Sequence, residues 1–326
     1  MRTQTTHKIW ATVLLVSLLI APFVMTYFGK SFWLDIFTRL IILSIAASSL
    51  SLLLSVAGLA SFGHAAYIGL GAYAVGIPVY FETYGGNDFL AGYNGWWHLL
   101  LAVVVCALFA LVTGSISLRT RGVHFIMITM AFSQMVFYLL VALEEFGGDD
   151  GLSVDLRSEI SPLQIEEPWV FFLLCYTLLL VVLFVVSRIT NSRFGRVLQA
   201  AKQNEQRVRA LGVNPYGYRL FAFVIAGVIA GVAGVLFANY AYFVSPGMVE
   251  WTRSGELMFM IILGGVSSLL GPVVGATCFV LLEYFLSRWT VFWHLPFGLI
   301  LLGVVLFGRG GIVGLLSRQR AQERDR

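Results

Sequence analysis

Charge is scarce in this 326-residue sequence: 12% of residues are Asp, Glu, Lys or Arg, against 59% hydrophobic. Soluble domains carry about a quarter charged residues, so this balance, with mean hydropathy +0.86, predicts a polytopic membrane protein. Cysteine is scarce too. Cys106, Cys175 and Cys278 each fall in an apolar run, with no Cys-x-x-Cys pair and no histidine cluster beside them. Buried free thiols follow, and neither a disulfide framework nor a metal site is indicated. No nucleophile, base and orienting acid lie together, which disfavours hydrolase chemistry and a membrane-embedded lipid enzyme. No Gly-x-x-x-x-Gly-Lys-Ser/Thr phosphate loop occurs, so ATP hydrolysis belongs to a partner chain, and no cofactor is implied. An acid placed mid-span as an obvious proton or sodium site is also missing, which weighs against a stand-alone secondary transporter.

What base there is gathers in one place. Arg188, Arg193, Arg196, Lys202, Arg207, Arg209 and Arg219 lie between two long apolar runs, with Glu205 as the single acid among them. Basic residues near span ends mark the cytoplasmic side. The pI near 9.0 therefore reads as membrane orientation, not nucleic-acid binding. This segment is helix-prone from Phe194 to Leu211 and has the makings of a docking surface.

A helix needs about 20 apolar residues to cross roughly 30 Å of hydrocarbon. Spans are expected near 9–28, 33–57, 65–81, 96–118, 122–143, 168–188, 219–243, 256–270, 271–287 and 291–308. The first, Ile9 to Phe28, is long for a signal core and reads as a retained helix. With 188–219 in the cytosol, alternation places Arg2, Lys8, Arg119, Arg121, Arg309, Arg318, Arg320, Arg324 and Arg326 inside as well. Sixteen of the 21 bases are then cytoplasmic, leaving Lys30, Arg39, Arg157, Arg253 and Arg288. Acids fall the other way: Glu144, Glu145, Asp149, Asp150, Asp155, Glu159, Glu166 and Glu167 crowd 144–167, with Arg157 alone against them. The expected fold is one all-α transmembrane domain of about ten spans with both termini cytoplasmic. Between 256 and 287, Gly264-Gly265 and Gly271-Pro272 interrupt the run, giving either two short spans or a re-entrant segment.

Small residues mark the second feature. Gly58, Gly63, Gly69 and Gly71, with Ala65, Ala66 and Ala72, strip bulk from most of one helix. Two readings stay open: close helix packing, or a break from Gly58 to His64 where freed backbone groups meet a cavity. Packing does not account for the polar Ser61 and His64, three residues apart and able to share a helix face. Gly227, Gly231 and Gly234 read as packing against a partner helix. Asp35 and Arg39 have the spacing of a local ion pair, and Glu283 lies near the outer end of another span. No inverted repeat emerges between 58–72 and 265–276.

Three blocks carry a family resemblance: Gly58-Leu-Ala-Ser-Phe-Gly-His-Ala-Ala-Tyr-Ile-Gly-Leu-Gly-Ala-Tyr73, Leu118-Arg-Thr-Arg-Gly-Val-His-Phe-Ile-Met-Ile-Thr-Met-Ala-Phe-Ser-Gln134, and Gly195-Arg-Val-Leu-Gln-Ala-Ala201 through Arg209-Ala-Leu-Gly-Val-Asn214 to the glycines at 227, 231 and 234. In order and spacing the chain resembles LivM-type permease subunits of branched-chain amino-acid ABC importers along nearly its full length. Arg309-Gly-Gly-Ile-Val-Gly-Leu-Leu316 is a loosened form of the family's C-terminal pattern.

The resemblance implies a cytoplasmic coupling helix seated in a cleft of an ABC ATPase subunit. Gly195, Ala200, Ala201 and Gly212 would supply small contacts, and Arg196, Glu205, Arg207 and Arg209 polar ones. Ala201-Lys-Gln-Asn204 departs from the family's charged Arg-Glu-Asp-like run. Gly58, Ser61, Gly63, His64, Gly69 and Gly71 would form the translocation pathway or its hinge. Also implied are a second, LivH-type permease subunit, a periplasmic substrate-binding protein and an inner-membrane location. The solute would be a branched-chain or similar amino acid, with urea, amides or aromatic acids as the alternative.

Overall fold

The structure, a computed structural model, describes residues 2–29, 32–85, 91–161, 164–307 and 310–314. Lys30, Arg309, Arg318, Arg320, Arg324 and Arg326 lie outside the described residues, as does the end of the C-terminal motif. Backbone groups in hydrocarbon must be satisfied within their own segment, so long apolar runs close as helices. They are α1 (Arg2–Tyr27), α2 (Phe32–Ser51), α3 (His64–Tyr84), α4 (Gly95–Ser117), α5 (Val123–Ala142), α6 (Pro168–Asn191), α7 (Arg193–Gln203), α8 (Glu205–Ala210), α9 (Pro215–Ala241), α10 (Trp251–Gly264), α11 (Gly271–Ser287) and α12 (His294–Phe307). A π-helix over Leu52–Ala57 extends α2. Among the described residues five helices are long and apolar enough to cross a bilayer: Phe32–Ala57, Gly95–Ser117, Val123–Ala142, Pro168–Asn191 and Pro215–Ala241. Two short strands, β1 (Leu152–Ser153) and β2 (Phe243–Val244), pair antiparallel, a minor addition to the all-α expectation.

The core sits where α3, α4 and α9 pack on one another, and where α2 packs on α6, α9 and α11. Packing explains most of the small residues. A Cβ at Gly71 would strike the Gly231 carbonyl, and one at Gly234 the Ile68 carbonyl, so α3 and α9 cross backbone to backbone. Gly69 is pressed on the Val249 side chain.

The bundle has two ends of opposite charge. The 24-residue α6 separates the acidic segment 144–167 from α7, and the 27-residue α9 joins α8 to β2, which pairs with that acidic segment. At about 1.5 Å per residue each helix holds the ends roughly 36–40 Å apart. Arg119 and Arg121 follow α4 to the basic end. All eight acids of 144–167 are exposed at the other.

Arg157 does not neutralise those acids. It is buried and donates to the carbonyls of Asn239 (3.2 Å), Ile165 and Glu166 (3.1 Å each), with its guanidinium 4.5 Å from the Phe171 ring. It ties the acidic segment down on α9 and α6. Arg157→Leu leaves three carbonyls, two of them buried, without their donor. It is expected to cost about 2–3 kcal/mol, read as a lower thermal midpoint and faster proteolysis within 144–167, with Arg157→Lys intermediate.

Other sequence expectations are corrected by packing. Arg39 reaches across to Glu283 at 2.9 Å, joining α2 to α11, while Asp35 stays exposed. A cross-helix partner shields the charges better than a neighbour on the same surface. The helix-prone 194–211 stretch is two helices, because Asn204 leaves helical geometry (φ −156°, ψ 101°) and caps α8 by accepting from the Arg207 N–H at 3.0 Å. Between 256 and 287 two short helices meet at a tight turn, the Gly264 backbone lying on Gly271 and Gly275. The longer irregular stretch lies upstream, over 242–250. It enters from the acidic end, with Val249 reaching Gly69 of α3, while the 58–63 break enters from the basic end and meets the start of α10 at Trp251.

Candidate functional site

The break after the π-helix is where several polar and small residues of the sequence converge in space. Leu59 N–H reaches back to the Leu53 carbonyl at 3.0 Å, and Gly58 turns the chain at φ 71°, a left-handed geometry that glycine adopts without strain. Residues 58–63 then run into the bundle. Phe62 lies 6.4 Å from the Trp251 ring, and Gly63 packs on the Thr129 carbonyl of α5. The N–H of Ala65 donates to Ser254 Oγ of α10 at 2.8 Å.

Ser61 and His64 are both buried but do not pair. Ser61 Oγ accepts from the Gly63 N–H at 3.3 Å. His64 Nε2 lies 2.7 Å from Ser49 Oγ on α2. Since Ser49 donates to the Ala46 carbonyl at 2.6 Å, its oxygen accepts from Nε2–H. His64 therefore fastens α3 to α2 at the restart of the helix. Of the residues expected to line a pathway or hinge, Gly58, Ser61, Gly63 and His64 make the break itself. Gly69 packs on Val249 and Gly71 on the α9 backbone.

Beneath the break lies α7. Lys202 Nζ donates to the carbonyls of Ser55 (2.9 Å) and Leu54 (3.3 Å), left open at the end of the π-helix. Its stem covers Gly58, where a Cβ would meet Lys202 Cγ at 2.8 Å. Beside this contact opens a cavity of about 820 Å³, lined in part by Ser55, Val56, Gln199, Lys202, Ile262 and Ser267. The lysine sits in the stretch where the sequence leaves its family pattern, yet nothing local to that stretch names its partners.

One face of α7–α8 is bolted to the chain. Gly195 fits only because a Cβ there would strike the carbonyls of Ile189 and Thr190. Leu198, Ala201 and Val208 are buried. Glu205 holds three guanidiniums: Arg209 at 2.6 Å, Arg219 at 2.8 Å and Arg121 at 2.9 Å. Gly195, Ala201 and Glu205 thus serve contacts within the chain, and Arg209 pairs with Glu205 while its side chain stays exposed. The outward face carries Arg196, Ala200, Arg207, Ala210, Leu211 and Gly212, all exposed. Arg121 and Arg219 were legible as topology charges only. Their partner lies 84 and 14 positions away.

Burial raises the Glu205 carboxyl pKa, but the Arg219 hydrogen bond and the charges of Arg219, Arg121 and Arg209 outweigh it and hold it below its ordinary 4.5. A depressed carboxyl stabilises the fold above the unfolded value, and this is lost as pH falls through the lower, folded pKa. The clamp is therefore complete at neutral pH and releases only in acid below about 4.5. Arg121 and Arg209 are over half exposed and screened, so Arg219 dominates. Glu205→Gln is expected to cost about 1–2 kcal/mol. Trypsin should then cut at Arg207 and Arg209 roughly fivefold to thirtyfold faster; unchanged cutting would remove the clamp.

The comparisons agree with this architecture. Residues 32–308 match the family model described as branched-chain amino acid transport system / permease component. Over 96% of its own length and 76% of the relative's, the chain is 27% identical to the high-affinity branched-chain amino acid transport system permease protein LivM of Salmonella typhimurium. It is 27% identical to the probable branched-chain amino acid transport permease protein LivM of Methanocaldococcus jannaschii, over 81% of this chain and 85% of that one. The autoinducer 2 import system permease protein LsrC of Yersinia pseudotuberculosis is 28% identical over 63% of this chain and 62% of its own. No solved structure matches the chain. A helical bundle with membrane-length apolar helices, matched over most of its length by permease sequences, belongs to the permease component family of branched-chain amino acid transport systems.

Proposed function

We propose that this chain is a transmembrane subunit of an ATP-driven importer in the bacterial inner membrane, passing branched-chain or similar amino acids to the cytoplasm. Ten spans are formed by α1–α6 and α9–α12, with both termini and the basic end in the cytosol. Orientation follows from charge: Arg119, Arg121 and the bases of 188–219 share one end, and the acids of 144–167 the other. A separate ABC ATPase grips the outward face of α7–α8. A periplasmic binding protein delivers solute at the acidic end. A LivH-type permease completes the membrane part.

The observation that carries this reading is the α7–α8 unit, free on one face and fastened on the other to the helix break. A push on its outer face passes through Lys202 to Leu54, Ser55 and Gly58, where a π-helix already ends in an irregular turn. Interrupted helices are where transporter pathways open and close. Co-expression with a phosphate-loop ATPase and a secreted binding protein encoded beside it should give one complex and ATP-dependent uptake in proteoliposomes. Protease cleavage at Arg207 and Arg209 from the outside of intact cells would overturn the topology and the lever together. A ligand screen on the binding protein identifies the solute.

A further inference from the structure

α10 begins inside the bundle. Ser133, midway along the 20-residue α5, donates to the Val249 carbonyl at 2.7 Å, and Val249 packs on Gly69 of α3. Helix α10 starts two residues later and runs to the basic end, where Ile262 shares the cavity with Lys202. Arg253 and Glu256 therefore sit within about 10 Å of the mid-length of α5, inside a hydrocarbon layer roughly 30 Å thick. They are not tucked away. Thr252 and Arg253 are exposed, with the Arg253 side chain 55% accessible and that of Glu256 25%. Arg253 Nη1 bonds both Glu256 oxygens, at 3.1 and 3.3 Å, and its Nε and Nη2 have no partner among the described residues.

Charges at this depth cannot face lipid tails. Arg and Glu within membrane segments face the bundle interior or a water-filled cavity. The contrast with α4 is direct, since its outward residues Leu100, Val104, Leu108 and Leu111 are all apolar. The Arg253–Glu256 pair, flanked on α10 by the exposed Trp251 and Phe259, is therefore placed to meet water or a polar solute.

We propose that Arg253 and Glu256 form the mid-membrane station of the translocation pathway, holding the two charges of a zwitterionic α-amino acid. Arg253 receives the carboxylate and Glu256 the ammonium group, so their mutual pair is exchanged for two pairs with the solute and no net charge is buried. An uncharged amide or urea has no need of both. The proposal rests on the importer reading and names its solute class.

The test uses the full complex in proteoliposomes, with L-leucine as probe. Thr252→Cys should react with a membrane-impermeant charged thiol reagent, while Leu108→Cys should not. Arg253→Gln and Glu256→Gln should each lower leucine uptake about tenfold or more, with the complex intact, ATP hydrolysis retained and Arg253→Lys largely active. An unreactive Thr252→Cys marks a dry subunit contact and overturns the proposal. So does undiminished leucine uptake by either glutamine variant, even on a reactive face. A wild-type complex that takes up no amino acid sinks the importer reading instead, and the thiol reaction still separates a wet face from a dry one.

Discussion

Gly71→Leu should leave almost no folded protein. The new Cβ lands on the backbone carbonyl of Gly231, with its carbon and Cα close behind, and backbone cannot rotate out of the way. Overpacking against mobile side chains costs about 1–3 kcal/mol and more where nothing yields. Here α3 and α9 must separate along their whole crossing, which also unseats Gly234 from Ile68. Against a typical net stability of about 5–15 kcal/mol, folded yield should fall at least roughly tenfold. Alkylation of Cys106 and Cys175, both fully buried, provides the measurement, since their thiols react only when the bundle opens. Gly298→Leu in α12, with nothing within 4 Å of the new carbon, should behave as wild type. Protected thiols and normal yield in Gly71→Leu would mean the two helices do not cross backbone to backbone.

Leu211→Asp should instead leave a stable subunit that transports nothing. Leu211 closes α8, its N–H donating to the Val208 and Arg207 carbonyls at 3.2 and 3.3 Å. Leu211 is 78% exposed, an apolar knob among arginines on the outward face of α7–α8. Burying such a leucine in a partner's cleft contributes about 1.5–3 kcal/mol. An aspartate there loses this and adds a carboxylate that would have to be desolvated. Affinity for the ATPase should drop about a hundredfold, seen as loss of co-purification and of ATP-dependent uptake at an unchanged thermal midpoint. Leu198→Asp, on the buried face of α7, should fail earlier by destabilising the chain. Undiminished co-purification of Leu211→Asp would remove this face from the ATPase contact.

The contrast between these two leucines shows how far sequence reaches. The helical nature of 193–211 follows from composition and from Asn204 and Gly212 as punctuation. Which side is buried does not, because Ala200 and Ala201 look alike until the neighbouring helices are in place. One is exposed and the other packed. Likewise the Gly58–His64 stretch announces an interruption through small and polar residues in an apolar run. Nothing in it identifies Ser49, Thr129, Ser254 or Lys202 as the groups that hold it.

Arg39 and Arg253 mark the same boundary. Arg39 has Asp35 four residues away and pairs with Glu283, 244 positions off. Arg253, set aside in a count of inside and outside charges, turns out to lie at depth on an open face. The amino-acid order alone settled that this is an apolar helical bundle with a basic and an acidic end, because backbone hydrogen bonds must close locally in hydrocarbon and charged loops stay in water. Only the tertiary structure decided which glycines touch backbone, which arginines find carboxylates and which charges sit mid-bundle. Those depend on which helix faces meet, and spacing along one chain does not encode the distance between two helices.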